Sequence, residues 1–192
     1  MSTWIERRFK APILLAGASY GAYLAAGIAR QRPDLVRGLL LICPGILMAN
    51  DDRELPPPDD AARPIDWPAN VPEPLRAHFA AALGNRTPEV IATVLDALHS
   101  GNPGDEEFKT ALRTGRGYAL PDEDADVTFR GPVSVLTGRQ DRVVGYADQF
   151  KAMRHYPHDT FTIVFEAGHY LPFEQPTLLA ALTQDWLRRV LP

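Results

Sequence analysis

The sequence feature that most constrains the fold is the five-residue turn Gly17-Ala18-Ser19-Tyr20-Gly21, which separates two contrasting segments. Before it, residues 13–16 form a short apolar run typical of a buried parallel strand. After it, residues 20–29 are rich in alanine and predict a helix that ends before Pro33. A strand, a G-x-S-x-G turn and a helix in this order predict a nucleophile elbow, in which a strained turn presents the serine at the carboxyl edge of a sheet.

The elbow interpretation assigns a role to each residue of the turn. We predict that Ser19 is a nucleophile and that the backbone N–H of Tyr20 helps to hold an oxyanion. Gly17 and Gly21 are expected to let the strand and the helix approach without a side-chain clash. The alternative is a glycine-rich turn that only packs a strand against a helix. A phosphate-binding loop is disfavoured because neither G-x-x-x-x-G-K-[ST] nor G-x-G-x-x-G is present.

Composition bounds the class of protein. The chain has 192 residues with 45% apolar content, enough for one domain with a sizeable core. A net charge of −4 provides no basic surface for nucleic acid. No apolar run reaches about eighteen residues, and the first nine residues hold no signal-peptide core, so we predict no membrane span and a cytoplasmic protein. The single Cys43 lies in an apolar run and is expected in the core.

Further apolar runs predict a parallel sheet. The run at 36–43 completes a strand–helix–strand unit, which requires a right-handed crossover between parallel strands. Two more strands are predicted at 132–137 and 161–165. Flanking helices are predicted at 2–9, 145–155 and 175–190. The last of these is expected to face the sheet through Leu178, Leu179, Leu182, Trp186 and Val190.

The middle of the chain differs in composition, with a proline-rich stretch followed by predicted helices. Eight of the 18 prolines fall between residues 44 and 74, which disfavours regular strands or long helices there. Helices are predicted at 73–83, at 88–99 with Thr87 as the N-cap, and at 106–114. We therefore predict a helical cap at 45–125, inserted into a core formed by 1–44 and 126–192. The alternative is a linker followed by an ordinary helical bundle.

The partners that a serine nucleophile requires follow the last two predicted strands. Asp141 comes after the strand at 132–137, and His169 comes after the strand at 161–165. Because the carboxyl ends of parallel strands meet at one edge, both side chains are expected to converge on Ser19. A weak hydroxyl nucleophile needs a base, and the base needs an orienting group. Taken singly, Asp141 could be a turn or helix-cap residue and His169 a hydrogen-bonded loop histidine.

The remaining histidines do not suggest a metal site. They are expected to be surface or helix residues: His78, His99, His155 and His158. No histidine pair shows a zinc-like spacing with cysteines, so we predict no metal and no cofactor.

The motifs together resemble a known family. They are GASYG at 17–21, GRQD at 138–141, GH at 168–169 and EQP at 174–176. With them the chain resembles the α/β-hydrolase superfamily, in particular its capped, proline-iminopeptidase-like and meta-cleavage-hydrolase-like bacterial members. The resemblance implies an α/β fold whose parallel sheet is flanked by helices and carries an inserted helical cap. It also implies that Ser19 is the nucleophile, His169 the base and Asp141 its orienting partner.

The sequence departs from the family pattern before Ser19. Family members usually carry further strands there, with a His-Gly-type loop that supplies a second oxyanion N–H. The resemblance therefore implies the C-terminal part of such a fold, with Tyr20 as the remaining predicted oxyanion donor. The strand near residues 12–16 would have an open apolar edge, which invites pairing in a homodimer or with another chain. The expectation is a fragment of a longer gene product or a chain completed by a partner.

The sequence supports two functional hypotheses. The first is a serine hydrolase that transfers an acyl group from an ester or a similar small carbonyl substrate, with Tyr170 beside His169 as a candidate pocket residue. Carbon–carbon bond hydrolysis of a dienoic diketone is a variant, whereas dehalogenation is disfavoured because the elbow carries serine rather than aspartate. The second is a catalytically weak or inactive, truncated hydrolase-like protein that acts through oligomerisation or a partner chain.

Overall fold

The computed structural model describes residues 1–47, 53–58, 65–101, 104–107, 110, 119–123 and 125–191. Within these residues the strands are β1 (Ile13–Ala18), β2 (Val36–Ile42), β3 (Val133–Gly138) and β4 (Asp159–Val164). The helices are α1 (Ser2–Arg8), α2 (Tyr20–Gln31), α3 (Glu73–Ala82), α4 (Pro88–Ser100), α5 (Ala147–Ala152), α6 (Leu171–Glu174) and α7 (Pro176–Val190). Short 3₁₀ helices lie at Pro33–Leu35 and Met153–His155. In this part of the chain no helix is both long and apolar enough to cross a membrane.

The four strands form one parallel sheet in the order β1-β2-β3-β4. The prediction of a parallel α/β sheet flanked by helices is therefore confirmed. Every residue of β3 is buried, as expected for a strand with neighbours on both sides and helices on both faces. Because all strands run in the same direction, the loops after β1, β2, β3 and β4 leave the sheet at the same edge.

Two apolar layers cover the sheet, one on each face. Leu39 and Leu41 face a cluster formed with the alanines of α2 and with Ile5 of α1. Leu40, between them, faces the opposite cluster, which includes Trp186 and Val190 of α7. This alternation follows from the period of two along a strand.

The prediction that Leu178 faces the sheet is wrong. Leu178 is 38% exposed, whereas Trp186 and Val190 are buried and Leu179 and Leu182 are partly buried against the sheet. A residue in a helix is rotated by about 100° from its neighbour. Leu179 lies on the face of α7 that packs against the sheet, so the adjacent Leu178 lies to the side of this face and is partly exposed to solvent.

Helices α3 and α4 lie between β2 and β3 in the chain and have an apolar cluster of their own. It contains Phe79 and Leu83 near α3 and Ile91, Val94 and Leu95 of α4. Thr87 caps α4 as predicted, since its Oγ1 accepts a hydrogen bond from the Val90 N–H at 3.4 Å. The third predicted helix, 106–114, lies largely outside the described residues. The assignment of 45–125 as a cap stays a prediction.

The α3 segment contacts the carboxyl edge of the sheet. The Arg142 N–H, after β3, donates to the Ala81 carbonyl at 3.1 Å. The His169 N–H, after β4, donates to the Ala82 carbonyl at 2.6 Å. The end of α3 is thus hydrogen-bonded to both loops that carry predicted site residues.

Strand β1 forms one edge of the sheet. Within the described residues it pairs with β2 and with no other strand. Its side chains are partly covered, since Ile13 and Leu15 pack toward the α2 cluster and Leu14 toward the α7 cluster. The side chains of this edge are therefore covered in part by helices, and pairing with a second copy near residues 12–16 stays a prediction.

Candidate active site

Ser19 occupies a strained turn between β1 and α2. Its φ of 52° and ψ of −120° fall in a region that residues with a side chain rarely adopt. Gly17 makes the turn feasible, because a Cβ at this position would lie 2.5 Å from the backbone carbon of Gly21 and 2.6 Å from the Ala22 nitrogen. The reason predicted for Gly21 is wrong, since a Cβ added there would meet nothing within 4 Å. The close approach of strand and helix therefore depends on Gly17.

This asymmetry leads to a matched pair of expected results. Gly17→Ala should lower the free energy of unfolding by about 2 kcal/mol or more, because the obstructing atoms are backbone and cannot rotate away. Gly21→Ala should be neutral or stabilising by up to about 1 kcal/mol, since alanine is favoured over glycine in a helix. Urea unfolding of both variants measures the difference, and equal destabilisation would contradict this account of the turn.

His169 lies next to the Ser19 hydroxyl. It follows β4 in a short loop, and its Nε2 is 2.9 Å from Ser19 Oγ. Its side chain is 12% exposed, so the pair is accessible but largely shielded. An imidazole at hydrogen-bond distance from a hydroxyl is the arrangement that proton abstraction requires.

Asp141 holds the other nitrogen of the same imidazole. Its Oδ2 is 2.9 Å from His169 Nδ1, and the residue is wholly buried. Its Oδ1 accepts hydrogen bonds from the N–H groups of Val143 at 2.8 Å and Val144 at 3.0 Å. Asp141 therefore also serves as a turn residue, and these two bonds direct Oδ2 toward His169. Ser19, His169 and Asp141 lie together as expected from strand order, and their catalytic roles stay predictions.

Tyr20 is the first residue of α2 and directly follows Ser19. The Ser19 carbonyl accepts hydrogen bonds from the N–H groups of Ala22 and Tyr23, both at 3.1 Å, which continue the turn into the helix. The Tyr20 ring stacks on the Tyr23 ring, with centroids 5.7 Å apart. The backbone N–H of Tyr20 thus belongs to the positive end of a 12-residue helix, and its oxyanion role stays a prediction.

Cys43 lies beside the histidine and the aspartate, which its sequence position did not reveal. It is buried as predicted, it has a φ of 42°, and its thiol is 3.5 Å from the Gly168 carbonyl oxygen. Its sulfur and one ligand atom each of Asp141 and His169 lie within 4.8 Å of one another, a set that could hold a metal ion. Burial, and then the Asp141 charge, raise the pKa of the thiol, which disfavours the thiolate that binds metals.

Tyr170 links the histidine to α3. Its hydroxyl is 3.0 Å from His78 Nε2, and its ring packs edge-on against Phe79 and His169. Burial raises the pKa of Tyr170. Burial, and then the proximity of His169, lower the pKa of His78, which favours its neutral form. Tyr170 is therefore partly a packing residue of the α3–α4 cluster, and its role as a pocket residue stays a prediction.

Glu174 is a buried carboxyl group that sequence reasoning did not assign to the site. It is 5% exposed and accepts three backbone hydrogen bonds, from Gly168 at 2.7 Å, Gly84 at 2.6 Å and Asn85 at 2.8 Å. Burial raises the pKa of Glu174 to about 7, although the three N–H groups act in the opposite direction. The sequence feature that could have drawn attention to Glu174 was the EQP motif at 174–176. That motif supported the family resemblance but did not reveal which groups Glu174 contacts.

The raised pKa of Glu174 predicts a pH dependence of stability. The unfolded carboxyl group ionises near 4.5, whereas the folded one stays protonated up to about pH 7. Between these values the unfolded state binds fewer protons, so the free energy of unfolding should fall as the pH rises, by up to about 3 kcal/mol. Urea unfolding from pH 4.5 to 7.5, with Glu174→Gln as the reference, isolates this contribution. Parallel curves for the two proteins would contradict it.

The structure also contains a cavity of about 460 Å³ that is not lined by Ser19, Asp141 or His169. It lies between α2 and α5 and includes Tyr23, Arg30 and Lys151 in its wall. In this wall the Tyr23 hydroxyl donates a hydrogen bond to the Glu123 carboxylate at 2.6 Å. Burial is the main cause of the raised pKa of Tyr23. This cavity is therefore separate from the candidate active site at Ser19 and His169.

Comparisons with known proteins identify relatives of this fold. The sequence model described as "Alpha/beta hydrolase family" matches residues 3–182. A comparison with curated protein sequences finds no match.

Three solved structures illustrate the similarity of this fold to known proteins. An alpha/beta superfamily hydrolase from Oenococcus oeni PSU-1 has a TM-score of 0.77 at 22% identity, over 98% of this chain and 70% of that one. A thermophilic esterase has a TM-score of 0.66 at 17% identity, over 98% and 70%. A proline iminopeptidase-related protein from Thermus thermophilus has a TM-score of 0.66 at 22% identity, over 94% and 65%. At these identities the similarity establishes the fold.

Proposed function

The chain belongs to the alpha/beta hydrolase family, and we propose that it is a serine hydrolase acting by acyl transfer on an ester or a similar small carbonyl substrate. One observation carries the proposal: a single imidazole lies 2.9 Å from the Ser19 hydroxyl and 2.9 Å from the Asp141 carboxylate. The strained backbone of Ser19 supports it, because strain of this kind clusters at functional sites. The similarity to an esterase supports the substrate class.

In the proposed mechanism, Ser19 Oγ attacks the substrate carbonyl carbon while His169 Nε2 accepts the hydroxyl proton. Asp141 keeps the proton of the neutral imidazole on Nδ1 and stabilises the imidazolium that forms. His169 then donates the proton to the leaving alcohol, and the acyl group stays on Ser19 as an ester. Water, deprotonated in turn by His169, attacks this ester and releases the acid, which restores the serine.

The developing oxyanion requires hydrogen-bond donors. We assign the Tyr20 N–H to this role, because it follows the nucleophile at the positive end of α2. Removal of one such donor typically lowers the rate by about 100- to 1,000-fold in other hydrolases, so the rate of this chain depends strongly on how many donors its folded form supplies.

The proposal gives α3 and α4 the role of a lid. The end of α3 is hydrogen-bonded to the loops after β3 and β4, beside the proposed nucleophile, and α4 packs against α3 in their shared apolar cluster. Tyr170 contacts both His169 and α3, and we propose that it contributes to the substrate pocket. Carbon–carbon bond hydrolysis stays a variant of this proposal, and a cytoplasmic location stays a prediction.

Hydrolysis of p-nitrophenyl esters with acyl chains of increasing length tests the proposal. We expect release of p-nitrophenol above the buffer rate, with a burst equal to the enzyme concentration if deacylation is slower than acylation. A dienoic diketone assayed in parallel distinguishes the carbon–carbon hydrolase variant. Folded protein that cleaves neither substrate class would contradict the proposed function.

The place of β1 at the edge of the sheet, among the residues that the structure describes, favours a second candidate function. A sheet edge with free backbone groups can pair with a strand of another chain, so the protein could act through a homodimer or a partner rather than through catalysis. Sedimentation of the purified chain measures its mass in solution. A monomer that turns over esters would contradict this second function, and an inactive dimer would favour it.

A further inference from the structure

We propose that Glu174 is a positioning residue of this hydrolase, holding the loop that carries His169 against the turn that follows α3. We name these segments the histidine loop (residues 165–170) and the α3 turn (residues 82–87, which begins at the last residue of α3). The inference rests on the proposed function, and it assigns to the helical segment a direct influence on the catalytic base.

The hydrogen bonds of Glu174 join the two segments. One carboxyl oxygen, Oε2, accepts a hydrogen bond from the N–H of Gly168, the residue directly before His169. The other oxygen, Oε1, accepts hydrogen bonds from the N–H groups of Gly84 and Asn85 in the α3 turn. Glu174 itself ends the short helix α6, four positions after Tyr170. One side chain thus satisfies three backbone donors from two segments that are distant in sequence.

The two segments touch through their backbones, so little movement between them is feasible. A Cβ at Gly84 would lie 2.7 Å from backbone atoms of Ala167, and a Cβ at Gly168 would collide with the Ala82 carbonyl. The His169 N–H donates to that same carbonyl at 2.6 Å. Because no side chains lie between the backbones, a displacement of the α3 turn is transmitted directly to His169.

The chemistry of the contact requires a carboxyl group. Three N–H donors converge on the two oxygens of the carboxyl group, which both act as acceptors once it is ionised, whereas an amide offers only one oxygen. In Glu174→Gln the amide oxygen is expected to serve the two donors of the α3 turn, because two bonds outweigh one. The amide NH₂ would then face the Gly168 N–H, donor against donor. This variant therefore loosens the histidine loop and retains the other contact.

In assays above pH 7.5, where the folded carboxyl group is ionised, we expect Glu174→Gln to lower kcat of ester hydrolysis by about 10- to 100-fold. KM should change by less than about threefold, because His169 is misplaced relative to Ser19. The second readout is the downfield proton resonance of His169 Nδ1–H, in its hydrogen bond to Asp141, which should shift or broaden. Asp122→Asn is the matched control. It weakens a carboxylate contact to Arg30 and Gln31 on α2, so it should lower stability without moving the resonance.

A folded Glu174→Gln variant with unchanged kcat and an unchanged resonance would overturn the proposal. If this variant does not fold, Glu174→Asp, which keeps the carboxyl group but shortens the reach, is read by the same two measurements. The resonance does not depend on turnover. If the wild-type chain cleaves no ester, the proposed function fails, and positioning by Glu174 is then supported by a shifted resonance and overturned by an unchanged one.

Discussion

Ser19→Ala is expected to reduce ester hydrolysis to the rate in buffer, a loss on the order of 10⁶-fold if the proposed site works like other serine hydrolases. The methyl group cannot attack a carbonyl, and His169 Nε2 loses the hydroxyl that lies 2.9 Å away. Stability should change little, because the substitution removes one partly exposed oxygen and leaves the backbone of the turn as it is.

Steady-state p-nitrophenyl ester hydrolysis measures this loss, and Ser134→Ala provides the control. Ser134 is buried in β3 and outside the proposed machinery, so its variant should keep wild-type activity. Hydrolysis by the Ser19→Ala variant within tenfold of the wild-type rate would mean that another group is the nucleophile.

Asp141→Asn is expected to lower kcat by about 10⁴-fold while the fold is retained. The N–H groups of Val143 and Val144 donate to Oδ1, so the asparagine oxygen should stay there and its NH₂ should face His169 Nδ1. That nitrogen must then accept a hydrogen bond, which moves the imidazole proton to Nε2. An Nε2 that carries a proton cannot accept another from Ser19.

Kinetics from pH 6 to 10, together with circular dichroism, test this tautomer argument. Activity of the asparagine variant should recover partly at high pH, where hydroxide can replace the base. Asp122→Asn, a carboxylate-to-amide change at a residue that bonds Arg30 and Gln31 at the far end of α2 from Ser19, should retain wild-type kcat. A loss below tenfold in Asp141→Asn would show that His169 does not depend on this carboxylate.

Much of the fold could be predicted because its strands are buried. A parallel strand covered by helices on both faces must be an apolar run, and the runs at 13–16, 36–43, 132–137 and 161–165 all overlap strands of the sheet. The positions of Ser19, Asp141 and His169 at one edge then follow from chain direction alone. The apolar pattern and the parallel direction of the strands were therefore sufficient to predict the sheet and the edge at which these three residues lie.

Features that depend on tertiary contacts were not predictable. Glu174 resembles any helix-terminal glutamate in sequence, and its three hydrogen bonds exist because the α3 turn packs against the histidine loop. The same contact explains Gly84 and Gly168. Gly21 was given the role that Gly17 alone fulfils, since the motif does not reveal which glycine faces the other backbone. The proline-rich stretch after residue 44 lacks the periodicity from which its structure could be inferred.

Labelling of the purified chain with a fluorophosphonate probe tests the central claim most directly, because the probe reacts with an activated serine and requires no knowledge of the substrate. We expect stoichiometric labelling at Ser19 that is lost in both Ser19→Ala and His169→Ala and retained in Ser134→Ala. Absence of labelling in the folded wild-type chain, or labelling that persists in His169→Ala, would contradict a working site built from Ser19, His169 and Asp141.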